Sequence, residues 1–279
     1  MLQSLPFVLI GVFASGLVQQ HLSTATLTRW LPQRRLAVVL LSSAFGFVAP
    51  VCDCGVIPLA RRLGAKGLPA YAATTFILAA PVVNPVVLLS TAFAFQGNWT
   101  IVGLRMAMTL SVAIAVGLAA STLSTGLSSP AQVGLDLHSA PATPGLRSLM
   151  SLATTEFFDV IFFIALGALF TAAAQTFVPR GDLAALGSRP ALSVLALMPV
   201  ASLLSICSEA DAFVARAFST TFSKGSILAF MTIGQIVDLR NGFLLFRTLG
   251  GRLTALVVLL SYVLVFAQGW LINVGSTRP

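Results

Sequence analysis

The feature that most constrains this chain is a series of long apolar stretches: 4–22, 36–60, 68–95, 99–121, 151–178, 190–207, 225–246 and 252–274. The hydrocarbon core of a bilayer is about 30 Å thick and takes roughly 20 apolar residues as a helix. In lipid the backbone must satisfy its own hydrogen bonds, so such stretches fold as helices. Composition agrees. Charged residues are 9% of the 279, and mean hydropathy is +0.96, where a soluble domain carries about a quarter charged residues. The expectation is an all-α polytopic membrane protein of about eight transmembrane segments. The opening run MLQSLPFVLIGVFASGLVQQ lacks the basic region of a secretory signal and reads as a retained first span. Trp30, Trp99 and Trp270 fall at or near segment ends, where aromatic anchors sit.

The formal charge of +8 does not point to nucleic acid, because the sixteen Lys and Arg are scattered between apolar blocks, where they meet lipid headgroups. Under eight spans the loop Lys and Arg divide seven against seven, so charge asymmetry leaves orientation open.

The chain divides into a first transmembrane repeat at 1–121, a Ser/Gly/Pro-rich linker at 122–150 and a second repeat at 151–279. The reason is a shared pattern. AKGLPAYAATTFILAAPVVNP (65–85) and SKGSILAFMTIGQIVDLRNG (223–242) each run from a Lys-Gly pair through an apolar stretch to a polar break. Those breaks contain Asn84 and Asn241, and upstream lie CDCGVIP and CSEADAF. A duplicated unit of this kind is common among transporters.

Broken or re-entrant helices are expected at Cys52–Pro58, at Pro81–Pro85 and at Cys207–Asp211 with Asp238–Asn241. Proline removes a backbone donor and restricts the residue before it. Pro50, Gly55 and Pro58 are the breakers at the first place, and Pro81 and Pro85 bracket Asn84 at the second. Irregular backbone at membrane depth survives where protein buries it or water reaches it. Such breaks form the substrate sites of many transporters.

Asp53, Glu156, Asp159, Glu209, Asp211 and Asp238 lie in or beside apolar segments. A carboxylate at mid-bilayer costs roughly 2.5–3.5 kcal/mol even on a lenient scale. Asp53, Glu209, Asp211 and Asp238 are therefore candidate pathway or proton-coupling acids. The structural alternative is an ion pair, such as Asp238 with Arg240 or Arg216.

On a regular helix, residues two apart do not face each other, but in an unwound turn Cys52 and Cys54 converge. Thiolates are soft ligands suited to Zn, Cu(I) or, by the same logic, trivalent arsenic. Structural zinc wants four ligands. Three cysteines exist, and His21 and His138 fall in loops. No metal centre and no cofactor are expected. No GxxxxGK[ST], HExxH or GxSxG motif is present, so neither an enzyme nor an ATPase subunit is indicated.

The run CDCGVIPLARRLGAKGLPAYAATTFILAAPVVNPVVLL resembles the signature of the predicted permease family that includes organoarsenical-efflux (ArsP-type) permeases. The Cys-x-Cys-Gly-x-x-Pro element falls at Cys52–Pro58, the Gly-rich bend at Gly64–Gly67 and the Pro-x-x-Asn-Pro element at Pro81–Pro85. CSEADAF and GQIVDLRN resemble that family's C-terminal repeat. Asp53 is a departure, standing where a small polar residue is more usual. The resemblance implies a multi-pass permease of a bacterial-type inner membrane. Some relatives are similar to exporters of trivalent organic arsenicals, while most have no assigned cargo.

The leading expectation is a secondary permease exporting a small soft or thiol-reactive solute, such as a trivalent organoarsenical. Its substrate-contacting residues are Cys52, Cys54, Asn84, Cys207 and Asn241. The partners implied are a small-molecule or metalloid substrate and the lipid bilayer. Alternatives are a membrane redox or metal-handling protein cycling Cys52 and Cys54, a permease for an unrelated solute, and a membrane scaffold. A scaffold has no need of buried acids.

Overall fold

The computed structural model describes residues 34–48, 53–65, 67–123, 190–208, 210–219 and 221–276. The described residues carry helices and no strand. The helices are α1 (Arg35–Val48), α2 (Asp53–Ala65), α3 (Ala70–Val83), α4 (Pro85–Ala94), α5 (Trp99–Leu123), α6 (Pro190–Leu204), α7 (Asp211–Phe218), α8 (Lys224–Ile236), α9 (Leu239–Leu249) and α10 (Gly251–Ser276). By length and composition α5 and α10 can cross a membrane, and α3 with α4, bent by 41°, makes a third span if the pair is counted as one. The expected segments 4–22 and 151–178 lie outside the described residues, as does all but the start of the 122–150 linker.

Within each run of five, the third helix is the innermost. Every residue of Ala72–Val83 in α3 and of Gly225–Ile236 in α8 is buried. A helix apolar on all sides has no face to give to water. Accordingly α1 and α5 pack on either side of α3, and α6 and α10 on either side of α8. The outer helices expose Leu40, Phe45, Leu259, Val263 and Leu271, a surface that suits lipid. Trp99 and Trp270, placed near helix ends, are also exposed.

Small residues set the close contacts, as in membrane helix packing generally. A methyl group added at Gly46 on α1 would strike the α3 backbone at Ala80, and one at Gly117 on α5 would strike Thr75 and approach Val39. In the second run a methyl at Gly234 on α8 would meet Ala201 on α6, and one at Gly269 on α10 would meet Ala229 and Val194. These contacts correspond. Gly46 and Ala201, Ala80 and Gly234, Thr75 and Ala229, Val39 and Val194, and Gly117 and Gly269 are separated by 152 to 155 positions. Both long helices also begin just after a left-handed turn, at Gln96 and Gly97 (φ 54° and 81°) and at Gly250 (φ 78°).

The two runs meet along a seam where α3 touches α8 and α5 touches α10. There α2 contacts α9 while α4 contacts α7. The second helix of each run thus meets the fourth of the other, the reciprocal pattern that a two-fold relation produces. Arg61 of α2 donates from Nε to Thr248 Oγ1 of α9 at 2.9 Å. Arg216 of α7 lies 5.9 Å from the ring centroid of Phe95, just past α4. Arg61 and Arg216 each follow a cysteine, Cys52 or Cys207, by nine positions.

Three expected breakers do not break a helix. Gly55 and Pro58 lie inside α2. The carbonyl opposed by the Pro58 ring belongs to Cys54, in the first turn, where the backbone has freedom to relieve the clash. Pro81 lies inside α3, which runs on to Val83. Pro50 and Cys52 are outside the described residues. Asn241, expected at a break, is instead the third residue of α9.

Candidate functional site

Arg105 is the seventh residue of α5, well inside a long apolar helix, and its side chain is 0% exposed. A guanidinium cannot shed its charge at any ordinary pH, so the fold must supply a counter-charge. Nη2 donates to Asp211 Oδ2 at 2.8 Å and to the Ser208 carbonyl at 3.4 Å. Nη1 donates to Thr91 Oγ1 at 2.7 Å and lies 3.8 Å from Met231 Sδ. Gln235 Nε2 donates to the same Asp211 Oδ2 at 2.8 Å. The Thr91 hydroxyl is oriented by its own bond to the Val87 carbonyl, 2.8 Å.

This knot draws on α4 and α5 from one side of the seam and on α7, α8 and the segment before α7 from the other. Burying an ion pair is costly, and removing one partner of such a pair is costlier still. Around it, Arg105 Nε, Thr232 Oγ1 and Gln235 Oε1 are buried with no hydrogen-bond partner among the described residues.

Three interruptions lie in the described helices. At the first, Asn84 (φ −53°, ψ 126°) leaves the helical region, and its Oδ1 accepts from Val86 N–H at 3.0 Å. Pro85 then occupies the first helical position of α4, where a missing N–H costs nothing. Asn84 is buried, so its side chain works as a cap.

The second interruption follows α6. Ser205 has φ 45°, a conformation uncommon outside glycine. The Cys207 carbonyl then accepts from the N–H groups of Ala210 and Asp211, at 2.9 and 3.0 Å, starting α7. The third is at Val237 and Asp238, where the Asp238 carbonyl accepts from Gly242 N–H at 2.8 Å. Ser205 joins these two: its Oγ accepts from Leu239 N–H at 3.2 Å and donates to the Ser202 carbonyl at 3.1 Å. Beside this junction lies a pocket of ≈ 560 Å³ lined by Ser202, Val237, Asp238, Gly242, Phe246 and Thr254, among others. That is the volume of a small-ligand site, and its walls are mostly apolar.

The structure therefore gathers Cys207, Asp211 and Asp238 around one pair of interruptions. Cys207 is half-buried, and Asp238 is buried in the pocket lining. Asp211 is committed to Arg105 rather than to an open path. Cys54 and Asp53 lie in the first turn of α2, and Cys52 and Glu209 are outside the described residues. Asn84 corresponds by place to Asp238, not to Asn241: each immediately precedes the fourth helix of its run. Asn and Asp are both favoured before a helix because their side-chain oxygen accepts an orphan N–H.

Sequence reasoning overlooked Arg105, Thr91 and Gln235. The available signal was a lone basic residue in the middle of a long apolar segment, which demands a buried counter-charge.

A family model described as a predicted permease matches residues 1–274. UPF0718 protein YcgR of Bacillus subtilis is 36% identical over 276 residues, covering 98% of this chain and 94% of its own. A candidate "two-component membrane permease complex subunit" of Streptococcus mutans is 31% identical over 244 residues, covering 86% of this chain and 81% of its own. No solved structure matches the chain. This chain belongs to the predicted permease family that includes the ArsP-type permeases, and it is an integral membrane protein.

Proposed function

We propose that this member of the permease family is a secondary, multi-pass carrier of the inner membrane that exports a small soft or thiol-reactive solute, such as a trivalent organoarsenical. The observation that carries the carrier reading is the junction of two helix interruptions, at 205–210 and 237–238, beside a ligand-sized pocket in a membrane-embedded fold. Interrupted helices that aim their ends at one place are how carriers build a site without exposing backbone to lipid.

The corresponding contacts of the two runs support a further part of the proposal, that 1–121 and 151–279 are two copies of one unit packed about a pseudo-two-fold axis. About eight membrane segments, including re-entrant ones, follow from that arrangement. The soft cargo rests on the cysteines: Cys207 stands at the junction, and Cys52 holds the matching place before α2. In this reading Asn84 acts through the break that it caps, Asn241 contributes from the first turn of α9, Asp238 is the pathway acid, and Asp211 is structural. The chain then acts as a carrier rather than an enzyme, the role that membership of a permease family favours.

The name of the Streptococcus relative favours a second reading, in which a chain of this kind moves its cargo with a partner subunit. Expression in arsenic-sensitive bacteria tests both. A fall in cell-associated methylarsenite with this chain alone supports the carrier. A fall seen only when membrane proteins of the native host are co-expressed supports the two-component form. No fall in either case removes the arsenical cargo.

A further inference from the structure

The segment carrying Cys207 is held at two points, one on each side of the thiol. On its N-terminal side Ser205 Oγ accepts from Leu239 N–H, a tie within the same run of helices. On its C-terminal side Arg105 reaches from α5, across the seam, to the Ser208 carbonyl and the Asp211 carboxylate. Ser205 N–H still donates to the Ala201 carbonyl at 3.3 Å, the last helical bond of α6, and beyond it these ties and the two turn bonds to the Cys207 carbonyl help to set the backbone.

We infer that Arg105 is a positioning residue for Cys207: it fixes the thiol-bearing interruption against the opposite half of the molecule and so sets the geometry in which Cys207 meets the solute. This rests on the proposed carrier reading for its functional meaning, but the positioning itself does not. The planar guanidinium suits the task, because one fork reaches the backbone carbonyl and the carboxylate from a single nitrogen while Thr91 holds the other. A lysine would keep the charge and lose that fork. The tie also crosses between halves, so a relative movement of the two runs would be transmitted to the segment carrying Cys207.

The test uses the full chain in membrane vesicles and follows alkylation by N-ethylmaleimide, resolved by peptide mass spectrometry. Cys52 and Cys54 serve as internal references. Two variants are compared with the wild type: Arg105→Lys, and the double variant Arg105→Met/Asp211→Leu. The double variant removes the tie while leaving no unpaired buried charge, a replacement that folds tend to accept. The expected result is a rise in Cys207 modification of about tenfold in the double variant, the factor carried by loss of one charge-assisted hydrogen bond. Cys52 and Cys54 keep their rates, and Arg105→Lys falls between. An unchanged Cys207 rate in the double variant overturns the inference. So does an equal rise at all three cysteines, which would make Arg105 a general structural residue. If wild-type vesicles fail to move methylarsenite, the cargo assignment falls while the Cys207 rates still decide the positioning role.

Discussion

Arg105 shows how a single residue can decide the interior of a membrane protein. Its charge is permanent, its side chain is sealed from lipid and water, and its partners come from four other places in the chain. Removing the guanidinium alone leaves the Asp211 carboxylate buried without its cation. Arg105→Gln should therefore cost about 3–5 kcal/mol, the range for breaking a buried pair from one side. The double variant Arg105→Met/Asp211→Leu should recover most of that loss. Thermal unfolding of the purified protein in detergent measures both, and a double variant no more stable than Arg105→Gln would contradict the account. Asp211 was legible as a costly buried acid, but its role was not. A sequence shows that a carboxylate needs an answer and does not show which of sixteen cations supplies it. Arg105 and Asp211 are 106 positions apart, and only the packing of α5 against the second run brings them together.

Among the elements, the paired interruptions carry the function proposed here. Asn84 caps α4 through Val86 N–H, and the chain turns by 41° at that point. Asn84→Ala should destabilise the fold by about 1 kcal/mol, the usual cost of a lost cap, while Asn84→Ser, which keeps a capping oxygen without burying a charge, should be close to neutral. The same thermal measurement tells them apart, and equal losses for both would show that the side chain does more than cap. The Asn84 break was legible because Pro85 disfavours helix at the residue before it. Within the expected breaks, Gly55, Pro58 and Pro81 do not themselves end a helix. Glycine keeps its N–H, Pro58 opposes a carbonyl in the first turn, and Pro81 lies in buried α3, whose packing offsets one lost hydrogen bond. The pairing of Asn84 with Asn241 compared identical letters, whereas the residue immediately before the fourth helix of the second run is Asp238.

At the scale of the whole molecule, the correspondence between runs gives a test independent of any cargo. Gly46 meets Ala80, and Ala201 meets Gly234, at matching places with the small residue exchanged between partners. If the runs are two copies of one unit, Gly46→Leu and Gly234→Leu should both impair folding, by about 1–3 kcal/mol of overpacking or more, with Gly46→Leu the worse because its Cβ meets backbone rather than a methyl group. Gly103→Leu, which meets open space, should be tolerated. Membrane abundance of the three variants checks this, and a tolerated Gly46→Leu beside a failing Gly234→Leu would argue against equivalence. The apolar segments and the order of motifs were legible because hydropathy and glycine placement are written along the chain. The reciprocal contacts of α2 with α9 and α4 with α7 were not, because they depend on how the runs dock.

The central claim, that a carrier presents thiols to a soft solute at its helix interruptions, is tested most directly by one measurement. Methylarsenite retained by arsenic-sensitive bacteria would be compared for the wild type, Cys207→Ser, Cys52→Ser/Cys54→Ser and an empty vector, at equal membrane abundance. Lower retention is expected with the wild type, returning to the vector level in both cysteine variants. Retention equal to the vector in all cells, or wild-type efflux that survives both sets of substitutions, would contradict it.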